Sequence, residues 1–176
     1  MKPSVTELLN LLDKPGLLPW ANKIGLEGIS LKEYRKKCLS KGSSLHKQIE
    51  AFINDGVEFE DEKNQENCIK FLSGVIVLDI ESKIETDHYQ GRYDIRYERE
   101  GEIFIGDFKS SNGIYLENVL QLVAYSIAED IDNISIIEIP SFKEKIITVK
   151  DKRPFIEILK SLSTIYEMKE MAIWNS

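Results

Sequence analysis

The chain has 176 residues, of which 42% are hydrophobic and 30% charged, and its formal net charge is −7. That profile suits one folded domain with enough apolar material for a core, and it excludes disorder as the main state. Two cysteines, Cys38 and Cys68, exclude a disulfide scaffold, a four-cysteine zinc site and a four-cysteine iron–sulfur cluster.

The longest apolar run, residues 74–78, is strand-sized. The opening MKPSVTELLN has neither a signal-peptide core nor an Arg-rich transit pattern. These features predict a cytoplasmic protein with no membrane partner. Charge is unevenly spread. Residues 1–50 hold nine Lys/Arg against five Asp/Glu, a balance of +4, whereas residues 51–90 hold three against ten, a balance of −7. Lys32, Arg35, Lys36, Lys37, Lys41 and Lys47 could form a basic surface or a solvated helix face.

In chain order, Ser4 and Glu7 form a capping-box pattern ahead of a first helix. Lys14-Pro15-Gly16 ends it, and a second short helix runs over residues 17–26. Ser30 and Glu33 cap a third, which the pattern ends near Lys41-Gly42. Ser43 or Ser44 caps a fourth, with Leu45, Ile49 and Phe52 on one face. An acidic loop follows, and then a helix over 64–73. The period next changes to two, giving one or two strands over 75–85 and single strands over 91–98 and 102–109. A helix over 115–129 follows, then strands over 134–139 and 145–149, and a closing helix over 154–169. No repeat or linker divides the chain. It reads as a single domain, 1–176, with a mainly helical part (1–73) and a sheet with flanking helices (74–176). The order predicts an α/β fold with a mixed central sheet and helices on both faces.

The chemistry gathers on a hairpin. A turn at Arg99-Glu100-Gly101-Glu102 sets Asp94 opposite Asp107, on a face shared with Lys109. Two carboxylates opposite each other repel, so one stays protonated or a cation sits between them. A hard divalent ion with oxygen ligands, Mg²⁺ or Mn²⁺, fits such a pair. The alternative is a solvent-facing pair with Lys109, Arg92 and Arg96 as counterions. Tyr89, Tyr93 and Trp20 are either stacking surfaces for an unpaired base or ordinary core and sheet residues.

The segment YQGRYDIRYEREGEIFIGDFKSS resembles the active-site hairpin of the PD-(D/E)xK nuclease superfamily. Asp94 and Asp107-Phe108-Lys109 match its acid and acid-x-Lys motifs. Gln121 and Tyr125 resemble the QxxxY motif of the RecB-like branch, and share a helix face. GSSLHKQIE resembles that branch's N-terminal motif, with His46 as the ligand-bearing residue. Glu50, one turn on, is a weaker candidate, and His88 reads as a loop residue. Glu81 stands where RecB-like nucleases often carry an acid. The likeness covers about residues 2–130. It is closest to the mitochondrial genome maintenance exonucleases and their phage and bacterial relatives. It implies a restriction-endonuclease-like α/β core.

It also implies a metal-dependent DNA exonuclease, hydrolysing phosphodiester bonds on single-stranded ends or flaps in replication, recombination or repair. The alternatives are a structure-specific endonuclease of the same superfamily and a catalytically weak DNA-binding module. The implied catalytic residues are Asp94, Asp107 and Lys109. One or two Mg²⁺ or Mn²⁺ ions would be held by His46, Asp94, Asp107, the Phe108 carbonyl and Glu81, with no iron–sulfur cluster. Ser110, Ser111, Gln121 and Tyr125 would hold the DNA strand. Replication or recombination proteins are the implied protein partners.

Overall fold

Helical spacing of apolar residues gives way to alternation after Gly74, and the structure changes with it. The computed structural model describes residues 2–110 and 113–171, apart from the side chains of Leu39 and Lys41. Four helices come first: α1 (Val5–Leu9), α2 (Leu17–Leu26), α3 (Leu31–Asp55) and α4 (Glu62–Leu72). Three strands follow, β1 (Ile76–Glu85), β2 (Gln90–Arg99) and β3 (Glu102–Lys109), then α5 (Leu116–Glu129). β4 (Asn133–Glu138), β5 (Lys143–Thr148) and α6 (Arg153–Glu170) complete the order.

The five strands lie in chain order in one sheet. β3 and β4 are parallel and the other neighbours antiparallel. The sheet is therefore mixed, because the crossover through α5 returns the chain in the same direction. One core packs the sheet against α1, α5 and α6, through residues such as Leu8, Tyr93, Leu122 and Leu159. The other packs it against α3 and α4, through Ile49, Phe71, Tyr97 and Phe108. This is the helix-flanked α/β architecture that the sequence predicts.

The β2–β3 hairpin follows the predicted register, from Arg99 opposite Glu102 to Ile95 opposite Gly106. Glu100 and Gly101 both take the left-handed conformation, with φ of 53° and 81°. That is the pattern of a two-residue type I′ turn, whose twist matches the flanking strands. Ser4 caps α1 as predicted, accepting from the Glu7 N–H while the Glu7 carboxylate accepts from the Ser4 N–H.

The expected break near Lys41-Gly42 is absent. α3 runs unbroken for 25 residues. A single glycine costs a helix only about 1 kcal/mol relative to alanine. The burial of Ile49 and the packing of Leu45, Phe52 and Ile53 outweigh that local cost. Glycine also provides room here, since a Cβ on Gly42 would lie 2.8 Å from the Ser110 Oγ. The real end of α3 is Gly56, left-handed at φ 68°.

Candidate metal centre

The site lies where α3, β1, β2, β3 and α5 meet. Ile80 pairs with Ile95 and Ser82 with Tyr93, so Glu81 stands opposite Asp94. Glu81 holds a φ of 52°. A left-handed glutamate stores strain of about 1–3 kcal/mol, which persists only where the surroundings fix it. Here the Arg92 guanidinium holds its carboxylate at 3.3 Å.

Asp94 lies just past the last paired residues of the β2–β3 ladder. Its Oδ2 accepts a hydrogen bond from the Phe108 N–H at 2.7 Å, so the side chain takes over from the backbone as acceptor. His46 reaches in from α3, with Nδ1 3.5 Å from the same Asp94 oxygen. Its ring also meets Phe108 edge to face, centroids 6.0 Å apart. His46, Glu81 and Asp94 thus bring three ligand atoms within 4.8 Å of one another.

Asp107 is 3% exposed, and its Oδ2 lies 2.6 Å from the Lys109 Nζ. That oxygen makes no properly directed hydrogen bond; the ammonium balances its charge but leaves its lone pairs unfilled. Lys109 donates to the Gln121 Oε1 at 3.0 Å, and the Gln121 Nε2 donates to the Tyr125 hydroxyl at 2.8 Å. The i, i+4 pair on α5 therefore orients the lysine. Gly91 makes room for this arrangement, because a Cβ there would lie 2.6 Å from the Tyr125 ring.

Burial pushes the Asp94 carboxyl well above its ordinary range. The charge of Asp107 adds most to this, and Glu81 contributes as well, while the Phe108 N–H and Lys109 oppose it. Burial leads in the other direction at His46 and lowers its pKa. Lys109 assists, against the pull of Asp107, Glu81 and the Phe108 backbone. A neutral imidazole is the form that binds metal. Burial pushes the Tyr125 hydroxyl up to about 12, so it stays a phenol.

Glu81, Asp94 and Asp107 outnumber the cations Arg92 and Lys109 at this spot. The surplus negative charge and the clustered ligand atoms fit a hard divalent cation. The mixed nitrogen and oxygen set also suits Mn²⁺.

The structure brings together His46, Glu81, Asp94, Asp107, Lys109, Gln121 and Tyr125 from the sequence-predicted set. Glu81 belongs to the three-ligand group, whereas the Asp107 Oδ2 is turned to Lys109. The Phe108 backbone takes part through its bonds to Asp94 and His46. Ser110 borders the site beside Gly42, and Ser111 lies outside the described residues. Glu50 is not part of the three-ligand group. The His88 carbonyl accepts from the Ser163 hydroxyl, a structural role. Tyr89 and Tyr93 are 3% and 2% exposed, so neither offers a face for base stacking. Their hydroxyls instead bond the Ala124 carbonyl and Asp79.

Sequence reasoning missed the adjoining network of Asp79, Arg96 and Glu129. Arg96 bridges Asp79 at 2.5 Å and Glu129 at 2.9 Å, tying β1 and β2 to α5. Asp79 and Arg96 are cross-strand partners, a signal that requires the β1 register. A shift between Val77 and Asp79 hides that register in the sequence.

No family model matches this chain, and no curated protein matches it. Solved structures do match, among them the crystal structure of SSO0001. It is 14% identical with a TM-score of 0.44, and the match covers 93% of this chain and 76% of that one. Among the described residues, no helix is long and apolar enough to cross a membrane.

Proposed function

We propose that the protein is a metal-dependent deoxyribonuclease, related to the RecB-like branch of the PD-(D/E)xK superfamily. The observation that carries this reading is the meeting of His46, Glu81 and Asp94 beside the Asp107–Lys109 pair. Four separate elements supply these side chains. A surface ion pair does not need a histidine, two further carboxylates and a strained backbone turn beside it.

Mg²⁺ or Mn²⁺ bound there would lower the pKa of a coordinated water and offset charge on a phosphate. Asp94, Glu81 and His46 would hold it, with Asp107 adding its second oxygen. Lys109, fixed by Gln121, orients the attacking water and neutralises phosphate charge. Tyr125, itself 2% exposed, keeps Gln121 in place rather than touching the strand. Ser110, at the end of β3, is placed to contact the strand. Water adds to phosphorus and the 3′ oxygen leaves with a proton, giving a 5′-phosphate and a 3′-hydroxyl. Action on single-stranded ends or flaps belongs to the same proposal, as does a role in replication, recombination or repair.

The test uses 5′- and 3′-labelled single-stranded DNA with Mg²⁺ or Mn²⁺, run beside Asp107→Ala and an EDTA control. A product ladder absent from both controls is the expected result, and its direction gives the polarity. Internal cuts would make the enzyme an endonuclease. No cleavage of single-stranded, duplex, flap or RNA substrates by the folded protein would refute the enzyme, and DNA binding without turnover would leave a binding module.

A further inference from the structure

Helix α3 passes the metal centre and continues beyond it. His46 is on this helix, and Gly42, one turn earlier, lies against Ser110 at the edge of the site. Among the described side chains, the preceding turns contribute none to the two cores. They pack on α2, where Trp20 meets Tyr34 with ring centroids 5.8 Å apart, and the Arg35 guanidinium lies 5.8 Å over the Trp20 ring.

A groove of about 870 Å³ runs along this part of α3, lined by Leu31, Lys32, Arg35, Lys36, Ser40 and Ser43. Three of those six residues are cations and none is acidic. Lys32, Lys36, Ser40 and Ser43 are spaced by three and four residues, and the next step in the series is His46. Such spacing keeps them on one helix face. At 1.5 Å per residue, the stripe from Lys32 to His46 is about 21 Å long. Lys32 and Lys36 are exposed, and among the described residues neither has a carboxylate partner.

This basic face belongs to a chain of net charge −7. The floor of the groove is mostly apolar and its ammonium and guanidinium groups are donors, so its complement is a polyanion that also carries apolar faces, as the bases of a single strand do. We infer that the outer half of α3 is a track that leads a single strand of nucleic acid to the metal centre. Phosphates rest on Lys32, Arg35 and Lys36, and the Ser43 hydroxyl carries the strand towards His46, whereas the Ser40 hydroxyl donates to the Lys37 carbonyl. The choice of nucleic acid as occupant rests on the nuclease reading. An acidic polypeptide is the competing occupant.

The test is fluorescence anisotropy of a labelled oligothymidylate across a salt series, with EDTA present so that nothing is cut. The variant is Lys32→Ala/Arg35→Ala/Lys36→Ala. Alanine preserves helix, which circular dichroism checks. Lys63→Ala/Lys70→Ala on α4 combined with Lys160→Ala on α6, three exposed lysines away from the groove, is the control for loss of charge alone. The expected result is at least about a tenfold loss of affinity in the triple variant and little change in the control. The slope of log affinity against log salt should fall by about 2, since each phosphate contact on a single strand contributes about 0.7.

Equal affinity and slope in wild type and triple variant would overturn the track, as would a wild type that binds polyaspartate but no oligonucleotide. The two proposals fail separately. Cleavage that persists with unchanged DNA affinity in the triple variant removes the track and keeps the nuclease. Binding through α3 without cleavage in any metal removes the nuclease and keeps the track.

Discussion

Replacing Asp94 with asparagine should make the metal-free protein more stable. The Asp94 side chain is 14% exposed, and its Oδ2 accepts from the Phe108 N–H. Asparagine keeps a carbonyl oxygen for that bond and removes the charge. Burial and the nearby Asp107 and Glu81 hold the Asp94 carboxyl above its ordinary pKa, so the native state binds this proton more tightly than the unfolded chain does. The native state is therefore favoured in acid. It loses that advantage as pH rises from the ordinary carboxyl value of about 4 through the raised one. Above the raised value the penalty is constant. Each pKa unit is about 1.4 kcal/mol, and a chain of this size shifts Tm by about 2–4 °C per kcal/mol. Asp94→Asn should then melt about 3–6 °C higher for each pKa unit, at pH 7.5 in EDTA. The gap should close as pH falls towards 4. Mn²⁺ should shrink the gap by raising the melting point of wild type more than that of the variant, because saturation at 100 times Kd adds about 2.7 kcal/mol to the protein that binds it. Scanning calorimetry across pH, with EDTA and then with Mn²⁺, measures all three effects. A variant that melts below wild type at pH 7.5 in EDTA, or a gap that ignores pH, would refute the reasoning.

Lys109→Met should cost about 1–3 kcal/mol of stability, because the Asp107 carboxylate loses its ammonium in a largely buried place. If the lysine positions the attacking water, the same change should reduce cleavage by about 10²–10⁴-fold. Denaturation midpoints and single-turnover rates separate the two effects. Gly106→Ala should destabilise by about 1–3 kcal/mol through overpacking, because its Cβ would stand 2.8 Å from Ile95 and 3.1 Å from Ile137. A urea titration that finds Gly106→Ala as stable as wild type would show that this part of the sheet can yield.

The hairpin was legible because its determinants are local. The Glu100-Gly101 turn fixed the register, and the register set Asp94 near Asp107. The α5 pair was legible because i, i+4 spacing is independent of tertiary context. α3 was misread at Gly42 because the reason for that glycine is Ser110, the residue just past β3, far away in sequence. The weight of Glu81 was also hidden. Its left-handed backbone and its place opposite Asp94 follow from an irregular β1, which no alternation pattern announces. Tyr89 and Tyr93 carry polar tips that suggest surface, yet both tips are satisfied internally. Nothing in their own spacing distinguishes those cases.

The placement of α1 has a consequence for how the chain folds as it is made. α1 packs against β2, α5 and α6, and the Gln90 N–H bonds the Pro3 carbonyl beside it. Val5 and Leu8 are fully buried there. All of these partners are synthesised later, and α6 ends at Glu170. At about 5–20 residues per second, α1 emerges roughly 8–30 s before its site is complete. An isolated helix of this length has no stability of its own. α1 thus leaves the ribosome before every element it packs on and settles only after them, and the apolar side chains of Val5, Leu8 and Leu9 stay in water, open to chaperones, until α6 arrives.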